Sequence, residues 1–194
     1  IIQYEKIIKI DSNNFIAYNN LGTIYRSLNE IENAINHYKK AIEIKPNFEK
    51  AYYNLGFIYQ DIGEIDKAIT QYEHAINLNN HAMSYHSLSH LKKFKQNDIL
   101  LIKLKHLHSS DKLSKEERIH ICLALANINE KFGNQVDFFK YLNEGNKLQK
   151  KESGYSLDQH KKEHYAIKKI FSKDINPVFN LNSSSNSKKT PIFI

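Results

Sequence analysis

Two asparagines one residue-type pattern apart, Asn20 and Asn54, and three close histidine pairs are the side chains whose type and spacing could do chemistry. An asparagine carries a donor and an acceptor on one group, so a pair on one surface can hydrogen-bond the backbone of an extended peptide. His86 and His90 stand four apart, as do His160 and His164, with His106 and His108 nearby. Histidines at that spacing share a helix face and could share a metal. These pairs lack a third ligand at a set spacing, a cysteine partner, or the glutamate that a zinc hydrolase places between its histidines. They are therefore read as ordinary surface or boundary histidines, and no metal is expected. Cys122, the only cysteine, lies between Ile121 and Leu123 and is read as core. No serine or cysteine stands in a nucleophile-elbow context, so no catalytic residue is expected in this segment.

What must position Asn20 and Asn54 is a repeat. Tyr18, Leu21, Gly22, Tyr25, Ala34, Tyr38 and Ala41 recur without a gap, 34 residues on, as Tyr52, Leu55, Gly56, Tyr59, Ala68, Tyr72 and Ala75. Tyr18, Leu21 and Tyr25 fall three and four apart, which stacks them on one face of a first helix. Gly22 and Gly56 sit inside that helix, where glycine costs about 1 kcal/mol relative to alanine. The return expected is close approach of a second helix, whose thin stripe Ala34 and Ala41 supply. Pro46 ends the first unit, and Asn80 stands in its place in the second.

This pattern of aromatic, Leu-Gly, Tyr, Ala, aromatic, Ala and Pro resembles the tetratricopeptide (TPR) repeat. The resemblance implies an all-α fold, a TPR-type helical-hairpin solenoid wound as a right-handed superhelix. Residues 1–14 read as the end of a preceding repeat, since Tyr4 and Ile10 lie one period before Tyr38 and Ile44. Two regular repeats occupy 15–82. Two degenerate hairpins follow over 83–152: Tyr85, Leu88 and Ser89 come one residue early, and Leu101, Leu104 and Leu107 replace the small stripe. Ser114 and Glu117 have the spacing of a capping box. Phe132-Gly133 repeats the turn of Ile62-Gly63, but Phe138 and Gly145 hold the offsets of Ala68 and Ala75, so that pair must pack differently. An extra helix is expected over 153–172, a polar linker over 173–190, and a short terminal strand at 191–194 opening a further domain. The start at Ile1 and the apolar stop at Pro191-Ile192-Phe193-Ile194 read as cuts from a longer chain.

The 194 residues are 41% hydrophobic and 25% charged, enough for a real core, and no apolar run approaches the ~20 residues of a membrane span. The single cysteine excludes a disulfide framework, and a cytoplasmic setting is expected. The net charge of +7 gathers in the second half, yet Arg26 and Arg118 are the only arginines. Nucleic acid is disfavoured as a partner, because bidentate phosphate and base recognition prefers arginine.

Leu113-Ser114-Lys115-Glu116-Glu117-Arg118, Lys131-Phe132-Gly133-Asn134 with Tyr141-Leu142-Asn143-Glu144-Gly145-Asn146, and the terminal Pro-Ile-Phe-Ile resemble bacterial proteins in which TPR repeats precede a sulfotransferase domain. That resemblance implies a parent chain using 3′-phosphoadenosine 5′-phosphosulfate, bound by a Gly-containing loop after the strand. No such loop occurs in these residues, so no cofactor is expected within the segment. The competing expectation is a free-standing TPR scaffold without an enzymatic domain.

For a TPR array the expected partner surface is the concave face, lined by first helices and suited to a protein or peptide. By spacing from the packing positions, its candidates are Asn19, Asn20, Thr23 and Arg26 in one repeat and Tyr53, Asn54, Phe57, Gln60 and Asp61 in the next. Tyr53 and Phe57 are the expected anchors. Clamps for a C-terminal carboxylate place lysine and asparagine on first helices; here Asn19, Thr23, Met83 and Ser87 occupy those places. An acidic tail is therefore disfavoured.

Overall fold

The alternation of apolar and small positions at helical spacing becomes a run of antiparallel helices in the computed structural model, which describes residues 1–152. In chain order they are α1 (Ile2–Ile10), α2 (Phe15–Ser27), α3 (Ile31–Ile44), α4 (Glu49–Asp61), α5 (Ile65–Asn79), α6 (Ala82–Leu91), α7 (Ile99–His108), α8 (Lys115–Lys131) and α9 (Gln135–Glu152). Among the described residues there is no strand, and no helix is long and apolar enough to cross a membrane. The chain is an all-α, TPR-type helical solenoid over this span. The helix expected at 153–172, the linker at 173–190 and the strand at 191–194 lie outside the described residues.

Local chemistry sets the helix ends. The Asn14 side chain accepts from the Ala17 N–H at 3.0 Å and starts α2. The turns after α2, α4 and α8 each pass through the left-handed region, at Asn29 (φ 60°), Gly63 (φ 81°) and Gly133 (φ 72°), which are residue types that tolerate it. The turn at Phe132-Gly133 is thus the same device as that at Ile62-Gly63. Where Pro46 follows the end of α3, α5 runs on to Asn79 and is capped by Asn80, whose N–H donates to the Ile76 carbonyl and whose left-handed φ of 47° turns the following chain out of the helix. The capping box of α8 forms: the Ser114 N–H donates to Glu117 Oε2 at 2.8 Å and the Glu117 N–H donates to Ser114 Oγ at 3.2 Å.

Packing follows the small-residue stripe. α2 pairs with α3, α4 with α5, and α3 lies on α4. Tyr38 and Tyr72, with the alanines Ala34, Ala41, Ala68 and Ala75 on either side of them, are all closed to solvent at 0%. Gly22 makes that possible, because a Cβ there would stand 2.7 Å from both Cδ1 and Cε1 of Tyr38. Helix propensity alone would favour alanine by about 1 kcal/mol, but overpacking a buried ring costs about 1–3 kcal/mol. Gly22→Ala is therefore expected to lower stability by about 1 kcal/mol, the reverse of the usual sign for glycine inside a helix. Urea unfolding followed by helicity measures it, and an increase in stability would refute the close approach.

From α5 onward the core merges into one cluster that includes Tyr72, Ile76, Tyr85, Leu88, Leu101, Leu104, Ile121, Leu125 and Ile128. A regular array would pair α6 with α7. Here α6 packs on α5 and chiefly on α8, α8 packs on α9, and α7 lies against α8. Leu101 and Leu104, both fully buried, stand where alanines would let two backbones meet closely, so α7 contributes bulk to the cluster instead of a thin seam.

Candidate partner-binding face

Residues three, four and seven apart on a helix share a face, and this spacing sets Asn19, Asn20, Thr23 and Arg26 along α2, and Tyr53, Asn54, Phe57, Gln60 and Asp61 along α4. The two helices touch. Asn54 Nδ2 donates to Asn19 Oδ1 at 2.9 Å, and the Arg26 guanidinium carbon lies 4.6 Å from the centre of the Phe57 ring. The second contact is a cation–π pair worth about 0.5–1 kcal/mol at a partly exposed site. Consecutive repeats are thus joined by side chains that sequence spacing assigns to a partner.

Several of the nine candidates are engaged within the fold. Asn19 is only 8% exposed, and its side-chain Oδ1 accepts from Asn54. Asn20 Nδ2 donates to Tyr4 Oη at 3.2 Å, tying α2 to α1. Thr23 Oγ1 donates to the Asn19 carbonyl and lies 3.1 Å from Tyr38 Oη, while Tyr72 Oη donates to Gln60 Oε1 at 2.8 Å. The reason is common to all three tyrosines. Tyr4, Tyr38 and Tyr72 recur at one position of the second helix, each carries a hydroxyl into the packing, and a polar side chain of a first helix meets it. Burial pushes the Tyr38 and Tyr72 hydroxyls above their ordinary pKa.

The aromatic candidates form a step. The Tyr53 ring lies 6.4 Å from Phe57, 5.8 Å from Tyr72 and 5.0 Å from His81, just ahead of α6. Tyr53, Asn54 and Phe57 are half-buried, as is Arg26, and Asp61 is exposed at the end of α4. A half-buried aromatic held by its neighbours has little freedom left to lose on binding, which suits it to anchor a partner.

Among the described residues, the histidines of the close pairs differ in their surroundings. His86 and His90 do meet, Nε2 to Nε2 at 3.3 Å, with the His120 ring 5.6 Å from His86 and Asn127 Nδ2 2.9 Å from His90 Nε2. Burial first, and the neighbouring imidazoles second, push His86 down to about 4. His90 and His120 are lowered in the same direction by burial. Beside them Lys131 Nζ donates to the Ser89 and His90 carbonyls, each at 2.7 Å, closing the end of α6. His106 is exposed. His160 and His164 lie outside the described residues.

His108 has a different setting that local spacing does not disclose. Its Nε2 is 3.0 Å from Glu144 Oε2, and Cys122 Sγ lies with these two groups so that all the donor atoms fall within 4.8 Å of one another. Burial and the Glu144 carboxylate raise the Cys122 thiol to about 12. Reading His108 only beside His106 missed this grouping, because its partners come from α8 and α9. The one local signal was Gly145, standing where the regular repeat has alanine: a Cβ there would be 3.3 Å from Cys122 Cβ.

Family models of TPR and tetratricopeptide repeats match residues 3–36, 22–63 and 49–82. No curated protein matches the chain. Among solved structures, MamA is 25% identical over 78% of this chain and 88% of its own, with a TM-score of 0.52. A tetratricopeptide repeat protein from Parabacteroides merdae ATCC 43184 is 19% identical over 73% of this chain and 56% of its own, at TM-score 0.55. A putative kinesin light chain with nearly identical TPR-like repeats from Podosopora anserina is 14% identical over 77% of this chain and 85% of its own, at TM-score 0.51. The last two share the fold. The 34-residue period, the buried tyrosine and alanine stripe and these matches agree, and residues 3–82 carry tetratricopeptide repeats.

Proposed function

We propose that the chain is a protein–protein interaction module that holds an extended segment of a partner protein along α2 and α4. The observation that carries this reading is the half-buried run of Arg26, Phe57, Tyr53 and Asn54, which crosses from one repeat to the next with aromatic, cationic and amide groups together. Such a surface offers flat apolar contact for a side chain and paired donors and acceptors for a peptide backbone. Repeat solenoids place their binding surfaces along stacked first helices for the same reason: each repeat adds one strip of surface.

The test is selection of binding peptides from a random display library, followed by affinity measurement on variants. Phe57→Ala and Tyr53→Ala are expected to weaken the selected peptides about tenfold or more, the loss typical of a central aromatic anchor. Val136→Asn, on the exposed face of α9, is expected to leave affinity unchanged. Equal binding by Phe57→Ala and the parent chain would remove α4 from the interface.

The finer reading is that the module recruits or orients the acceptor for a sulfotransferase domain. It is supported by the resemblance of residues 113–118, 131–134, 141–146 and 191–194 to proteins that join the two. The coding sequence beyond Ile194 decides it. A Gly-containing phosphate-binding turn within about thirty residues is the expected result, since a parallel strand opening such a domain leads straight into its anion loop. A polar or helical continuation would leave the scaffold reading in its place.

A further inference from the structure

Where the repeat pattern fades, three helices bring three unlike donor groups to one point. His108 closes α7, Cys122 sits in the middle of α8, and Glu144 lies on α9. His108 Nε2, Cys122 Sγ and a Glu144 carboxylate oxygen are all within 4.8 Å of one another. We propose that His108, Cys122 and Glu144 bind a divalent transition metal of borderline softness, such as zinc or cobalt, with a fourth position left to water.

The donor set selects the class of ion. Thiolate and imidazole suit zinc and its neighbours, whereas calcium and magnesium ask for six or more oxygens and would find one carboxylate. Four-coordinate zinc keeps adjacent donors about 3.5 Å apart. The His108–Glu144 pair, now at 3.0 Å, has to widen by about half an ångström, and the more distant donors have to close by about one. Rotations of the Glu144 and His108 side chains supply such shifts without moving a helix.

The surroundings hold the donors in place. Gly145 allows α9 to lie against α8 beside Cys122, which brings the adjoining Glu144 within reach. The His108 ring is met edge-on by Tyr141, at 5.1 Å and 85°. Arg118 donates to the carbonyls of His108 (3.1 Å) and Ser110 (2.7 Å), fixing the end of α7, and its guanidinium stands 3.8 Å from Glu144 Oε1. That leaves Oε2, the oxygen nearer His108, to face the ion. Supporting contacts of this kind orient ligands in metal sites generally. Cys122 is closed to solvent, while the side chains of His108 and Glu144 are 18% and 33% exposed, so the cluster is open on one side. On binding, the Cys122 S–H bond breaks as the sulfur–metal bond forms, and the proton leaves to solvent, one per ion.

Cobalt(II) titration of the full chain, after treatment with a chelator and a thiol reductant, tests this directly. The expected result is a thiolate-to-cobalt charge-transfer band that saturates at one equivalent and is abolished by zinc. Because Cys122 is the only cysteine, a sulfur band has no other source in the chain. Glu144→Gln and His108→Gln are expected to weaken cobalt binding about tenfold or more, with helicity retained as the check on folding. Cys122→Ser should lose the band. Absence of the band from the parent chain overturns the proposal, and so does cobalt binding without it, which would assign the ion to histidines elsewhere and leave His108 and Glu144 as a hydrogen-bonded clasp.

Discussion

Tyr72→Ala is expected to cost about 3–5 kcal/mol of folding stability, the range for deleting a buried aromatic ring. Tyr72 is 0% exposed, its ring fills the space left by Gly56, and it lies 5.8 Å from Tyr53 and belongs to the cluster that runs on through Tyr85 to Ile128. Its loss therefore opens a cavity at the junction of the second regular repeat with the less regular helices. In a solenoid, stability resides in units and in the interfaces between neighbours, and this ring serves both. Tyr72→Phe keeps the ring and removes only the hydroxyl that donates to Gln60, a change expected to cost about 1 kcal/mol. Urea unfolding of both variants, followed by helicity, separates the two contributions. Equal losses for the alanine and phenylalanine variants would show that the hydroxyl, and not the packed ring, holds the junction.

The contrast between ring and hydroxyl also marks how far the sequence could be read. Tyr38, Tyr72 and their alanines were legible because each faces the same neighbour one period later, and a repeated environment leaves a repeated residue. The turn at Gly133 and the capping box at Ser114 were legible because each depends on residues a few positions apart. Asn19, Asn20, Thr23 and Gln60 show the limit. Their types suit a ligand and equally suit a hydrogen bond within the fold: Asn20, Thr23 and Gln60 meet tyrosine hydroxyls and Asn19 meets Asn54, partners that only the arrangement of the helices discloses. The packing of α6 on α8 was hidden for a related reason. Leu101 and Leu104 break the small-residue stripe, and bulky leucines state that a position is buried without stating against what. His108 with Cys122 and Glu144 is the extreme case, since the three lie on three helices and no pairwise spacing links them.

Acid is expected to loosen the α6–α8 region well before carboxylate protonation takes over. His86 has an ordinary pKa of 6.5 and is pushed down to about 4 in the fold, chiefly by burial and then by His90 and His120. A histidine whose folded pKa lies below its unfolded one favours the fold in its neutral form. That stability is complete above the unfolded value and is lost as pH falls from about 6.5 toward 4. At 1.36 kcal/mol per pKa unit, His86 accounts for about 3 kcal/mol at most. His90 and His120 are lowered by burial too and act in the same direction, and Lys131, hydrogen-bonded to the His90 carbonyl, adds a further positive charge against which an imidazolium must form. Glu117, held below its ordinary 4.5 by the capping box, acts only at the acid end of this window, where stability falls as it takes up a proton. Urea unfolding at about pH 7.5, 6, 5 and 4.5, a range spanning the ~6.5 of free histidine, should show a steady fall in stability. His86→Gln, which keeps a polar group and cannot become charged, should flatten most of it. A parent chain equally stable at both ends of that series would mean that His86 reaches solvent easily when protonated, and that the α6–α8 contact does not depend on its neutrality.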